Sequence, residues 1–300
     1  MAEPSPHALR LTVAIVFLNE EAFLPRMLAS VAGQTRPPDR LLLVDDGSHD
    51  MSAAIARRYG DEHAYARVML RPRRERAADR LAAAAELQAF QWAVAHQGEP
   101  FDVIAKMDGD LELPPRFFEA ILAAFDADAR LGIAGAPLAV PADASEPIRE
   151  RSAPWHVRGA TKFYRDACWQ EISPLPAILG WDTIDEARAR VRGWRVESVA
   201  VPGGDALHMR VTGTYDGAIR GYRRRGMAAW GYGAHPLNVL ASAGLRMRDR
   251  PRISGGLAYL GGWVGSAIRN RPRAEPEALR VVRREQRRRL VRALRGGGVR

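Results

Sequence analysis

The sequence predicts an α/β fold, with a single, mostly parallel open sheet flanked by helices and a helical, Arg-rich C-terminal extension. Two observations predict this class. Strand-like and helix-like segments alternate four times between residues 11 and 135, which calls for parallel strands joined by right-handed crossovers. Acidic or polar turns follow three of these strands. In a parallel sheet such turns meet at one edge, where open α/β sheets bind ligands.

The first strand is predicted over 11–18, a continuous apolar run typical of strands buried on both faces. The turn Asn19-Glu20-Glu21 follows, and Pro25 suits the first turn of a helix that ends near Gly33. The second strand, 40–44, leads into Asp45-Asp46-Gly47-Ser48. Both polar turns are therefore expected at the carboxyl edge of the sheet.

The next helix is predicted to have Asp50 as its cap and to end at Tyr59, before Gly60. A third strand at 67–70 and an Ala-rich helix over 77–96 follow. The segment 101–106 is the fourth buried strand, and a helix with a clear apolar stripe starts after Pro115.

The fourth strand ends in Asp108-Gly109-Asp110, which places two carboxylates in one turn. Oxygen ligands with this spacing suit a hard divalent cation, and such a cation usually serves phosphates. The alternative is a solvated acidic turn. An EF-hand is excluded because Leu113 stands where that loop needs glycine. The glycine patterns of dinucleotide-binding and P-loop proteins do not occur.

The later chain is less regular. Its composition predicts a loop over 137–154, followed by a strand at 158–165 and a short helix containing Trp169. Gly180-Trp181-Asp182 precedes a helix that stops at Gly193. We then expect a strand over 195–201, a short apolar segment around His208, and helices beyond Thr214 with Gly-rich breaks at 231–233, 255–256 and 261–262.

Charge and cysteine content indicate the compartment and the partners. The single cysteine, Cys168, points to a reducing, cytoplasmic environment, and no signal peptide is recognisable. Residues 271–300 contain eleven arginines and three glutamates, which predicts attraction to polyanions or, alternatively, a solvated helix. The apolar stretch 253–268 is too short to span a bilayer. It predicts peripheral attachment to the inner face of an anionic membrane, with Tyr259 and Trp263 at headgroup depth, or a packed helical hairpin.

Taken together, the turns at 19–21, 45–48, 108–110 and 180–182 resemble those of family 2 glycosyltransferases, in order and in spacing. The likeness covers about residues 11 to 212. It implies the GT-A fold, a Rossmann-like nucleotide-diphospho-sugar transferase architecture. It also implies inverting transfer of a sugar from a nucleotide-diphosphate donor to an acceptor hydroxyl, with Mg²⁺ or Mn²⁺ as cofactor.

The resemblance also implies roles for individual residues. Asp110 is expected to hold the metal, with His208 as a second ligand or, alternatively, as an ordinary packed histidine. Asp182 is the expected general base, with Asp185 as second choice; Asp182 is alternatively the N-cap of its helix. Contacts to the nucleotide sugar are expected from Val16, Phe17, Asn19, Glu20, Asp45, Asp46, Asp108, Gly109 and Arg210.

The sequence departs from the family pattern in three places. Val16 and Phe17 replace the usual proline and small residue, and Leu18 replaces the usual aromatic residue, at positions that mostly use their backbone. Trp181 stands where a glutamate normally precedes the base, which leaves Asp182 and Asp185 both open. The Q-x-x-R-W motif of processive synthases is missing, so a single-addition enzyme is expected. Arg71, Arg73, Arg74 and Arg76 either add positive charge for the diphosphate or, alternatively, belong to an exposed basic loop.

These observations predict three regions: a nucleotide-sugar-binding half over 1–140, an acceptor and catalytic half of the same domain over 141–212, and a helical, Arg-rich extension over 213–300. The expected acceptor is a saccharide or a lipid-linked molecule in cell-envelope or exopolysaccharide synthesis. The alternatives are an inactive sugar-nucleotide-binding protein at the membrane and a nucleotidyltransferase. Nucleic acid is not an expected partner, because the basic tail carries no recognition motif.

Overall fold

The computed structural model describes residues 9–72, 79–142, 145–150, 156–210, 217–248 and 251–294. The chain divides into two compact units, which are described separately. The sheet unit comprises Met1–Arg76, Glu86–Pro174 and Gly193–Arg210. The helical unit comprises Ala77–Ala85, Leu175–Arg192 and Val211–Arg300. Arg73, Arg74, Arg76 and Thr214 lie outside the described residues.

The main sheet of the sheet unit has seven strands and confirms the predicted α/β class. They are β1 (Leu11–Phe17), β2 (Arg40–Asp45), β3 (Ala66–Leu70), β4 (Val103–Asp108), β6 (Leu131–Gly135), β9 (Thr161–Arg165) and β10 (Arg195–Ser198). Their spatial order is β10-β6-β9-β4-β1-β2-β3. β1 pairs in parallel with both β2 and β4, β2 pairs in parallel with β3, and β9 is the one antiparallel strand described in this sheet.

Helices cover this sheet and complete the core. They are α1 (Leu24–Ala32), α2 (Ser52–Glu62), α3 (Ala85–His96), α4 (Phe117–Ala127) and α5 (Asp166–Ile172). Every residue of β1 is buried, as its continuous apolar run predicts. α4 turns Phe117, Phe118, Ile121 and Phe125 into the same core.

Two helix boundaries differ from those expected. α2 continues through Gly60 to Glu62. Gly60 is a packing position and not a helix end, because a Cβ there would lie only 3.3 Å from the Val68 side chain of β3. α3 begins at Ala85, eight residues later than expected. Alanine is the best helix former, but intrinsic propensity is easily overridden by tertiary context, and the described residues 79–84 form turns instead.

A second sheet corrects the loop predicted over 137–154. It has four strands in the order β5-β11-β7-β8: β5 (Leu111–Glu112), β11 (Ala206–His208), β7 (Leu138–Ala142) and β8 (Ser145–Arg149). β7 and β8 pair as antiparallel neighbours although their composition is rich in Pro, Ala and Glu. Local composition misled here because pairing with a strand distant in sequence outweighs weak strand propensity.

The helical unit contains α6 (Trp181–Val191), α7 (Ala218–Gly231), α8 (Pro236–Arg246), α9 (Arg252–Ile268) and α10 (Pro276–Leu294). Ile184 and Ala187 of α6 pack against Ala278 and Val282 of α10. One face of the Arg-rich C-terminal helix is therefore a packing surface within this unit. Within the described residues, no helix is both long and apolar enough to cross a bilayer.

The break expected at 231–233 is confirmed, but α9 runs uninterrupted through the glycines at 255–256 and 261–262. These glycines serve packing. A Cβ on Gly262 would lie 2.0 Å from the Arg223 carbonyl oxygen, and one on Gly226 would lie 1.9 Å from that of Tyr259. α7 and α9 thus approach backbone to backbone, a contact that a larger residue would prevent.

The predicted three-region division stays a prediction. Two segments are grouped differently from what it implies. Ala77–Ala85, expected in the nucleotide-sugar-binding half, and Leu175–Arg192, expected in the acceptor half, both cluster with the C-terminal helices.

Candidate active site

Three polar turns meet at the carboxyl edge of the main sheet, as the strand order predicted. β1, β2 and β4 are neighbours, and Phe17 is in register with Asp45 while Val16 is in register with Asp108. Val16 and Phe17 are buried and take part through the backbone: the Phe17 carbonyl accepts a hydrogen bond from the Asp46 N–H at 3.0 Å. The turns after β1, β2 and β4 therefore start side by side.

The Asn19-Glu20-Glu21 turn is fastened to the turn after β2. Asn19 has a positive φ of 55°, and its side-chain oxygen accepts from the His49 N–H at 2.8 Å. The Glu20 N–H donates to Ser52 Oγ at 2.7 Å. Asn19 and its neighbours consequently hold two loops of the site together, beyond any contact with a ligand.

Asp45 and Asp46 have different surroundings. Asp45 Oδ1 accepts from the N–H groups of Gly47 and Ser48, at 3.1 and 2.8 Å, and so shapes the turn. Asp46 forms a buried ion pair with Arg71, whose Nη1 lies 2.7 Å from Asp46 Oδ1. Arg71 directly follows β3, so the pair places its guanidinium at the same edge of the sheet. Of the four arginines considered for the diphosphate, it is the one within the described residues.

A buried lysine of β4 holds the Asp108-Gly109-Asp110 turn in place. Lys106 Nζ contacts Asp108 Oδ1 and donates to the Gly159 carbonyl at 2.9 Å. Gly109 allows close packing, since a Cβ there would lie 3.0 Å from Phe17 Cβ. The ion pair fixes Asp108, and the glycine brings the turn against the end of β1.

His208 is brought to Asp110 by strand pairing in the second sheet. β11 pairs antiparallel with β5, which opposes His208 to Leu111, and His208 Nε2 lies 3.4 Å from Asp110 Oδ1. Asp108, Asp110 and His208 each offer one ligand atom, all within 4.8 Å of one another. Two carboxylates and an imidazole form a donor set that fits a divalent cation such as Mn²⁺.

Glu150 completes this cluster and was not anticipated from the sequence. Its Oε1 lies 3.8 Å from His208 Nδ1, and Arg158 Nη2 lies 2.8 Å from its other oxygen. A carboxylate on the far nitrogen of a ligating histidine is a common orienting device in metal sites. Glu150 lies in the segment 137–154, whose composition predicts a loop, so only the pairing of β7 with β8 and β11 reveals its placement.

Arg210 links Asp110 to Glu20. Its Nε lies 3.0 Å from Asp110 Oδ2, its other end forms an ion pair with Glu20, and its guanidinium lies 5.1 Å from the centre of the Phe23 ring. Burial raises the pKa of Glu20 to about 7, although the charge of Arg210 opposes this. Arg210 is therefore already at the edge where a phosphate is expected.

Charges within the cluster compensate one another. Burial alone would raise the pKa of Asp110, but hydrogen bonds and charge from His208 and Arg210 bring it below its usual value. Burial alone would lower the pKa of His208, but Asp110 and Glu150 raise it to about 9. The buried carboxylates thus favour positive charge at this position, which a bound cation would also supply.

Asp182 and Asp185 belong to the helical unit, at the start of α6. Gly180, with φ of 84°, is the N-cap residue, so Asp182 lies in the first helical turn and is not the cap. Asp182 is half-buried, whereas Asp185 is completely buried and accepts from the Glu186 N–H at 2.6 Å. Of the two, Asp182 is the one whose side chain reaches solvent.

Solved structures with a similar fold include three that hold a nucleotide or a nucleotide sugar. The mannosyltransferase PcManGT from Pyrobaculum calidifontis, in complex with GDP-Man and Mn²⁺, matches with a TM-score of 0.54 and 16% identity over 91% of this chain and 78% of that chain. TarS from S. aureus, residues 1–349 with UDP-GlcNAc, gives 0.54 and 14% identity over 86% and 79%. GalNAc-T7 with UDP, GalNAc and Mn²⁺ gives 0.55 and 14% identity, over 89% of this chain and 56% of that one.

Identities this low establish the GT-A fold alone. No curated protein is similar enough in sequence to count as a relative. The family model described as "Glycosyl transferase family 2" matches residues 12–175, more than half of the chain and the strands that carry all three polar turns. The chain belongs to glycosyl transferase family 2.

Proposed function

We propose that the protein is a metal-dependent, inverting, non-processive glycosyltransferase that moves a sugar, a hexose or a related one, from a nucleotide diphosphate to an acceptor hydroxyl. The observation that carries this proposal is the convergence of Asp108, Asp110 and His208, whose ligand atoms lie within 4.8 Å of one another at the edge where β1, β2 and β4 end. Family membership supports the same chemistry.

The donor nucleotide is assigned to the edge formed by β1, β2 and β3. Asp46, held by Arg71, is the residue for the base and ribose region, and Asp45 supports it by fixing the turn. The resemblance to the family assigns Asp108 a place nearer the ribose, and the ion pair with Lys106 holds its side chain in position. Arg210 is assigned to the diphosphate, because a guanidinium can form paired hydrogen bonds with phosphate oxygens.

Asp110 and His208 are the proposed metal ligands, and Glu150 orients His208 through Nδ1. When bound, Mg²⁺ or Mn²⁺ would neutralise the charge that accumulates on the departing diphosphate. The imidazole favours Mn²⁺, because Mg²⁺ prefers an all-oxygen site that keeps several waters. Cations bound here must compete with the proton on His208.

Asp182 is the proposed general base. It would accept the proton of the acceptor hydroxyl as that oxygen attacks the sugar from the face opposite the leaving diphosphate. Asp185 is disfavoured because its side chain is fully buried and hydrogen-bonded to the backbone. Carboxylates are weak bases, so positioning has to supply most of the effect.

The proposed setting is cell-envelope or exopolysaccharide synthesis on a saccharide or lipid-linked acceptor, in the cytoplasm and peripheral to the inner face of the membrane. The Arg-rich composition of the C-terminal third supports a membrane surface as a partner. The alternative is a protein that binds nucleotide sugars without turnover.

A panel of nucleotide sugars, tested by thermal shift with and without Mn²⁺, would identify the donor, because a ligand that binds only the folded state raises its stability. We expect one donor class to raise Tm, and only with the metal. Nucleoside diphosphate release with that donor and candidate acceptors then separates enzyme from binding protein. Binding without release or transfer would favour the inactive protein, and no binding to any donor would reject the proposal.

A further inference from the structure

Helix α9 has its large aliphatic side chains on the outside. Ile253, Leu257, Val264 and Ile268 are exposed to 65%, 56%, 43% and 79%. Their spacing of three, four or seven residues, with exposed Gly261 between them, places them on one face of the helix. A helix of a water-soluble domain normally turns such residues inward, so this face lacks the cover that its composition calls for.

The opposite face of α9 explains the arrangement. Its buried positions are Gly255, Gly256, Tyr259, Gly262 and Ser266. The glycines are required there because the backbone of α7 comes too close for a Cβ at Gly262. Apart from Tyr259, small residues therefore occupy the packed side, and the aliphatic side remains outside.

Helix α8 repeats the pattern beside α9. Leu237, Leu240 and Leu245 are exposed to 61%, 58% and 62%, while Val239 and Ala243 are buried. α8 packs on α9 where the Ala243 carbonyl and the Met247 side chain approach Gly256. Two neighbouring helices thus present exposed aliphatic faces, which we call the aliphatic surface of α8 and α9.

The charged residues in and beside α8 and α9 are arginines, with Asp249 as the one exception. Residues 217–274 contain eleven arginines and a single acidic residue, Asp249. Arg248 at the end of α8, and Arg252 and Arg269 at the two ends of α9, are exposed. An isologous contact with a second copy would bring these arginines against one another, which disfavours a dimer as the cover.

We propose that the aliphatic surface of α8 and α9 docks on an anionic lipid bilayer. The two helices would lie in the interface, with leucine and isoleucine side chains among the acyl chains and arginines on the lipid phosphates. This deepens the peripheral location given in the proposed function and depends on it. It also corrects the sequence expectation for Tyr259, which is 2% exposed and packs inside the unit, so it is not a headgroup anchor.

The test uses point variants of the full-length chain, because removing the C-terminal helices would also remove the contacts of α10 with α6. The variant Leu257→Gln/Ile268→Gln makes the surface polar. Its matched control, Leu70→Gln/Leu81→Gln, changes two aliphatic side chains that are exposed to 51% and 41% outside α8 and α9. Co-sedimentation is measured with phosphatidylcholine vesicles that contain about one third phosphatidylglycerol or none, at low and at high salt.

We expect the wild type and the control to pellet with anionic vesicles at low salt, and binding to fall with salt and without the anionic lipid. The partition coefficient of the Leu257→Gln/Ile268→Gln variant into anionic vesicles should be lower than that of the wild type by at least about tenfold, with an unchanged Tm. Equal pelleting of variant and wild type, or no pelleting of the wild type, would overturn the proposal. A wild-type dimer in gel filtration that this variant converts to a monomer would also overturn it. Nucleotide and Mn²⁺ binding, measured on the same samples, separates failure of this inference from failure of the proposed function.

Discussion

Helices α4 and α9 show two opposite ways to place apolar residues. α4, in the sheet unit, buries Phe117, Phe118 and Ile121 against the sheet. α9, in the helical unit, buries glycine and serine and exposes isoleucine and leucine. The first arrangement is what folding in water favours, because burial of large apolar side chains is its main driving force. The second serves the close packing of α7 and α9, and it agrees with the proposed docking on a bilayer.

The same contrast extends to the proposed roles. The sheet unit contains every residue assigned to the nucleotide sugar and the metal, and the helical unit contains the proposed base. Variants in the sheet unit should therefore affect donor and metal binding. Variants in the helical unit should affect transfer, stability or attachment to the bilayer.

The largest expected effect is on transfer. Asp182→Asn keeps the size of the side chain but removes its basicity, so the transfer rate should fall by about 10²–10⁴ while donor affinity is retained. Asp185→Asn is the comparison. Because Asp185 is fully buried, its replacement should lower Tm more than it lowers the rate of the folded enzyme. A collapse of transfer in Asp185→Asn, with normal turnover in Asp182→Asn, would identify Asp185 as the base.

The next effect tests the close packing of α7 and α9. Gly262→Ala should lower the free energy of unfolding by at least about 2 kcal/mol, because its Cβ would lie 2.0 Å from the Arg223 carbonyl oxygen. Gly261→Ala changes the neighbouring residue, where a Cβ would meet nothing within 4 Å, and should raise it by about 0.5–1 kcal/mol. Chemical denaturation measures both. Equal effects at the two positions would refute the inverted arrangement of α9.

A smaller effect is expected at the metal cluster. Glu150→Gln keeps the shape of the side chain but weakens its hold on His208 Nδ1, so Mn²⁺ affinity should fall about 10- to 100-fold. Titration calorimetry with Mn²⁺ measures this without any turnover. Glu197→Gln, a change to an exposed glutamate paired with Arg195, should leave the affinity unchanged. If Glu150→Gln binds Mn²⁺ as the wild type does, Glu150 has no orienting role.

The sequence was sufficient for the features that depend on local pattern. The apolar run of β1, the polar turns and the Gly33 helix end were predictable because period, burial and turn chemistry are local properties. Fold class and the meeting of the turns at one edge followed from the alternation of strands and helices.

What could not be predicted depends on contacts between distant residues. His208 and Glu150 meet only because β11 pairs with β5 and β7, strands about 70 to 100 residues away in the chain. The glycines of α9 suggest helix breaks in the sequence, because the sequence of one helix does not show that the backbone of α7 comes close to it. Asp182 was expected to be either the general base or the N-cap of α6. Gly180 is the N-cap residue, so the cap interpretation is wrong and the base role stays a proposal.

The central claim is that the sheet unit binds the nucleotide donor through a cation held by Asp110. Titration calorimetry of UDP and of GDP, with and without Mn²⁺, tests it on the wild type, Asp110→Asn and Glu112→Gln. Glu112 is the control because it lies two residues away and pairs with Arg26 at the surface. We predict Mn²⁺-dependent binding of one nucleotide by the wild type and Glu112→Gln, and a loss of at least about tenfold, with no Mn²⁺ dependence, in Asp110→Asn. Equal Mn²⁺-dependent affinity in Asp110→Asn would contradict the claim.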